Sequence, residues 1–374
     1  MAVQRARFSS RLVQVVILAG LLALILLPRP IAGWQDLGTA RRLASAGRYT
    51  QAASAYRSAA ERLPWRPDLY EQAGLAALPA GDYQGGLDAF QQAEDRDALS
   101  FLGLLARGDA LYALGETGQA VAVWEGLANE GVAPHARLAG GYEAMHDYPS
   151  AIWAWQAYLN RHEDAAAHYR LGLLLAATDP QQALPELMLA ASLDPDLDPD
   201  VQVLRLNLNA AFLEEEPAYW FVLSGRGLLA VGELDLAQAA LEHATVLRPD
   251  YAEAWAWWGE ARQQAGGDGS HQVMRALALD PSSTAVQALA GLYFQRQDQP
   301  ERALLAFQQA VADDPQNPAW LAALGGAYEA AGDLIRAQAA YQQAADLAPG
   351  DPSYWRFLAE FCLRNGVAIE DVAT

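Results

Sequence analysis

One frame governs the chain. Gly332, Ala337, Tyr341, Ala344 and Pro349 have counterparts 34 residues upstream at Asp298, Ala303, Phe307, Ala310 and Pro315. Residues 327–349, AYEAAGDLIRAQAAYQQAADLAP, read as one helix end, a tight Gly-Asp turn and a second helix closed by proline. Such a unit cannot bury its apolar face alone, so stacked neighbours must share a core. An array of this kind grows by nearest-neighbour contact and overrides the two or three compact domains that 374 residues would otherwise suggest.

The copies can be followed along the chain. Gly47, Tyr49, Ala52, Tyr56 and Ala59 fill the frame first, then Gly81, Gly86, Phe90 and Ala93, then Gly115, Ala120 and Trp124. Small residues at Ala52, Gly86 and Ala120 are expected to let paired helices approach, with the aromatics filling space toward the following repeat. Tyr142, Tyr148, Ala151 and Trp155 mark a fourth copy, and Gly172, Ala183, Leu187 and Ala190 a fifth. Residues 196–217 break the phase and form either a packed half-repeat or a hinge. Their apolar face is Val201, Leu204, Leu208 and Phe212. Four further copies follow, and residues 351–364 add a last helix of the first-helix type.

This register resembles the tetratricopeptide repeat, with Trp255, Trp258 and Gly259 standing where that family has its W-x-x-L-G start, Trp replacing Leu. The resemblance covers about residues 34–364. It implies an all-α fold, a right-handed α-solenoid of helix–turn–helix repeats whose first helices line a concave groove. Carried over position by position, the groove residues are Asp109, Tyr112, Glu143, Arg226, Glu260, Gln263, Gln295, Glu329 and Glu360, with Trp257 as an aromatic anchor off the packing frame. That groove is expected to be acidic and amide-bearing. Family members that grip a carboxyl terminus use Lys, Arg and Asn there; here those positions carry Leu, Glu or Gln.

Composition excludes several chemistries. All 25 basic residues are arginine, because the chain contains no lysine. A phosphate-binding Walker loop, a kinase ATP site and a Schiff base each need one. The six histidines form no HExxH pattern, and Cys362 is a single cysteine, expected as a buried core thiol. No catalytic set, metal site or cofactor is expected. With 45 acidic residues and a net charge of −20, the chain repels nucleic-acid phosphates.

The N-terminus carries Arg5, Arg7 and Arg11 before an apolar run over residues 12–27. A retained signal anchor would keep the arginines in the cytoplasm and the repeats outside, with Trp34 at the interface. A cleavable signal would be cut near residues 31–33, leaving a secreted protein. The expected organisation is a cytoplasmic start (1–11), a transmembrane anchor (12–33), a first repeat array (34–195), the irregular segment (196–217) and a second array with a capping helix (218–374). The expected function is a membrane-anchored scaffold of a bacterium that binds a protein partner, such as a membrane complex, as an accessory or assembly subunit. The alternative is a secreted or periplasmic accessory protein that binds glycan or lipid intermediates.

Overall fold

The structure, a computed structural model, describes residues 28–129 and 134–366. Among them are twenty α-helices, two single-turn 3-10 segments and no strand. The chain divides into two compact units, one through Arg161 and the other from His162.

The first unit stacks four hairpins: α1 (Pro28–Ser45) with α2 (Tyr49–Arg62), α3 (Asp68–Ala77) with α4 (Tyr83–Glu94), α5 (Phe101–Ala113) with α6 (Thr117–Asn129), and α7 (His135–Ala144) with α8 (Tyr148–Leu159). Residues 28–33, expected to close the membrane segment, form the first turns of α1. Gly33 is buried there, and a Cβ on it would lie 2.7 Å from Leu63. The apolar run 12–27 lies outside the described residues. Among the described residues, no helix is long and apolar enough to cross a membrane.

The second unit begins with α9 (Ala165–Thr178) and α10 (Pro180–Leu193), followed by a lone helix, α11 (Asp198–Ala211). Four hairpins complete the array: α12 (Pro217–Ala230) with α13 (Leu234–Leu247), α14 (Ala252–Gln264) with α15 (Ser270–Leu279), α16 (Thr284–Arg296) with α17 (Pro300–Asp313), and α18 (Pro318–Ala330) with α19 (Leu334–Leu347). A single helix, α20 (Pro352–Asn365), is the last described element. The out-of-phase segment is packed along most of its apolar face: Val201, Leu204 and Leu208 are buried, while Phe212 stays 38% exposed. Past α11, α9 packs directly on α12. The Ser224 hydroxyl donates to the Ala176 carbonyl, and Arg170 donates to both Glu233 oxygens at 2.9 Å.

The hairpin turn explains the Gly-Asp pair. Gly332 takes φ +78, a left-handed conformation that side chains resist, and its N–H closes the first helix on the Glu329 carbonyl. Asp333 then caps the second helix by accepting from the Arg336 N–H at 3.1 Å. Asp298 holds the same backbone conformation at φ +54 without glycine.

Most hairpins close where a first-helix glycine meets a second-helix side chain, an aromatic ring in several of them. A Cβ on Gly291 would sit 2.6 Å from Phe307, and one on Gly74 would sit 2.5 Å from Phe90. These second-helix rings pack against the first helix of their own repeat and also meet the following one, as expected: Phe307 clusters with Leu324 and Ala327, and Tyr56 with Leu69 and Ala73. Trp124 does both, lying over Gly108 of its own repeat and against Gly141 of the next. A further device ties each loop to the following helix: Trp220, Trp255, Gln287 and Trp355 each donate a side-chain N–H to the carbonyl six residues earlier.

Candidate partner-binding face

The expected groove residues all lie on first helices, but few of them are free. In the first unit, Asp109 on α5 accepts from Arg137 on α7 at 2.6 and 3.0 Å. This charge-assisted pair raises the Arg137 pKa. Tyr112 is 42% exposed, its ring 5.9 Å from that of Trp124. Glu143 accepts from the Trp155 indole N–H at 2.6 Å.

In the second unit, Arg226 on α12 lies over the Trp257 ring on α14, 4.9 Å from its centroid. Glu260 is almost fully buried and takes both arms of Arg296 at 2.6 Å, while Gln264 donates to it at 2.8 Å. The same guanidinium donates to Gln263 at 3.0 Å. Glu329 on α18 accepts from Arg364 at 3.1 and 3.0 Å and from Asn365 at 2.7 Å, both at the end of α20. Burial opposes the charge of Glu329, but the donors Arg364, Asn365 and Tyr341 outweigh it and hold its pKa below the ordinary value. Exposed Glu360 lies 3.6 Å from Arg364 and 3.9 Å from Arg356.

The expected acidity is thus largely offset within the molecule. Asp109, Glu260 and Glu329 each bridge to an arginine about one repeat later, tying successive first helices together. Sequence reasoning placed the carboxylates and overlooked Arg137, Arg296 and Arg364, which follow them by 28, 36 and 35 residues.

Gln295 is different. It lines a cleft of about 450 Å³ whose floor is small: Ala319, Ala322, Ala323 and Gly326. Tyr341, Tyr354 and Phe357 supply aromatic walls, and Asp351 and Ser353 stand at one end. The floor residues repeat at i, i+3, i+4 and i+7, a stripe legible in the sequence as a helix face without bulk. A second cleft, of about 430 Å³, lies between Phe212, Trp220, Glu214, Glu215 and Gln181. Cys362 is buried, and among the described residues no three His, Cys, Asp or Glu side chains gather as metal ligands.

No curated protein matches the chain significantly. Among solved structures, the chain is similar to yeast Tom70, with 14% identity over 91% of this chain and 90% of that one, at a TM-score of 0.35. It is also similar to MamA (residues 41 to the end) from Desulfovibrio magneticus RS-1, with 22% identity over 41% of this chain and 87% of that one, at a TM-score of 0.33. Two family profiles described as tetratricopeptide repeat match residues 71–128 and residues 295–361. Each unit of this protein therefore carries a segment that matches a tetratricopeptide-repeat model.

Proposed function

We propose that this protein is a membrane-anchored interaction scaffold that binds a protein partner on its first-helix face, as an accessory or assembly subunit of a membrane complex. The observation that carries the reading is the cleft beside Gln295. Its alanine and glycine floor leaves room for a bulky side chain, and its rings offer apolar contact at low entropic cost. Glu329 beside it is already paired with Arg364 and Asp351 caps α20, so recognition there rests mainly on shape and apolar area, with Gln295 free to hydrogen-bond. The anchoring part of the proposal rests on the arginine-flanked apolar run at residues 12–27, with the N-terminus in the cytoplasm and the repeats outside.

The test is affinity isolation of the intact protein from its own membranes in mild detergent, with mass spectrometry of what co-elutes. A stoichiometric protein partner is expected. Ala319→Trp, which fills the cleft from an exposed position, should weaken its retention at least ~10-fold, the loss of one hot-spot contact. Retention unchanged by Ala319→Trp and by Gln295→Ala would exclude the cleft. Binding of a glycan by stacking is less favoured, because Arg226 already covers a face of Trp257.

A further inference from the structure

Three large apolar side chains at the start of the described chain are each more than half exposed. Ile31, Trp34 and Trp65 are 54%, 51% and 56% exposed. Ile31 and Trp34 share a face of α1, three residues apart. Trp65 stands in the turn after α2, and that turn lies beside the same stretch of α1. Gly33 packs on Leu63, Arg62 pairs with Asp36, and the Arg66 guanidinium lies 5.9 Å from the Trp34 ring centroid. The three side chains thus belong to one end of the first hairpin.

It is also the end at which the chain arrives from the apolar run. Leu27 is the last residue of that run, and α1 starts at Pro28. Trp34 follows the end of that run by seven residues in the sequence. Tryptophan flanking an apolar segment favours the headgroup layer that borders the hydrocarbon core. Charge points the same way. Residues 28–66 carry seven arginines against Asp36 and Glu61, net +5, whereas residues 67–374 carry 15 arginines against 43 carboxylates, net −28. The first hairpin is therefore the one repeat suited to an anionic lipid surface, and the remainder of the chain is repelled by it.

We propose that Ile31, Trp34 and Trp65 seat the first hairpin in the headgroup layer of an anionic phospholipid bilayer, so that the repeats stand on the membrane and do not swing from a tether. The inference rests on the anchored reading above and adds to it a second, surface contact made by the folded repeats themselves. The test uses the full chain reconstituted into phosphatidylcholine–phosphatidylglycerol vesicles, with and without brominated acyl chains that quench nearby indoles. Flotation after an alkaline wash reports the anchor separately.

The wild-type protein should float and lose on the order of a fifth of its tryptophan emission to brominated lipid, two indoles of eleven. The Trp34→Phe/Trp65→Phe variant, which keeps apolar rings at both positions, should float equally and lose that quenching. A wild-type protein that floats but is not quenched overturns the seat and leaves the anchor standing. So does equal quenching of the variant, since other indoles would then be the ones near lipid. A protein that does not float overturns the anchor, and the seat with it.

Discussion

At the scale of single residues, two positions carry testable consequences. Asp298 occupies the left-handed position that glycine fills at 332, and Gln299, which follows it, gives no side-chain cap to α17. Restoring the Gly-Asp pair with Asp298→Gly/Gln299→Asp removes a backbone cost and adds a capping bond. The double variant should gain about 1–2 kcal/mol, read as a higher urea midpoint at unchanged slope. Glu329 gives a pH dependence with a definite sign. Its folded pKa lies below the ordinary 4.5, so the carboxylate contributes its full stability above 4.5, and the contribution is lost as pH falls from there through the folded pKa. Glu329→Gln should cost roughly 0.5–1 kcal/mol at pH 7 and progressively less as pH falls below 4.5, measured by denaturant unfolding across that range. The Gly-Asp frame is legible in the sequence because a tight turn and a cap each demand particular residue types at fixed spacing. The partners of Glu329 are not, since Arg364 and Asn365 approach it only through the stacking of α20 on α18.

At the scale of elements, most hairpins are closed at a first-helix glycine, and substitution there tests the packing directly. Gly291→Val must displace Phe307, a buried ring with no free volume beside it, and should lose about 1–3 kcal/mol or more in thermal or urea unfolding. Between repeats, the Glu260–Arg296 bridge joins α14 to α16 across α15. Arg296→Met leaves a buried carboxylate short of its main donor and should cost roughly 2 kcal/mol, most of it recovered in Glu260→Leu/Arg296→Met. Helix number and order were readable from periodicity, including the lone helix where the phase slips. What periodicity did not reveal is how α11 is accommodated. Its face of Val201, Leu204 and Leu208 demanded burial, but only the folded unit shows α9 packing past it onto α12, with Ser224 and Arg170 making the joint.

At the scale of the whole molecule, the repeats should unfold as neighbours rather than as one block. Within the second unit, among the described residues, α20 has a repeat on one side only, and Leu358, Phe361 and Cys362 tie it to Leu321 and Tyr341. Native-state hydrogen exchange should show lower protection in α20 than in α16 or α17, and removing α20 should transfer that fraying to α18 and α19. Uniform protection along the second unit would contradict this nearest-neighbour picture. The sequence by itself determined the helix–turn–helix unit, its period, the small residues that let helices meet and the lack of lysine chemistry, because each depends on local spacing or on composition. The tertiary structure decided which groove charges remain free, where an alanine floor opens into a cleft, and that Trp34 and Trp65 share one end of the first hairpin. Those depend on residues brought together from different helices, whose relation is set by stacking and leaves no periodic trace along the chain.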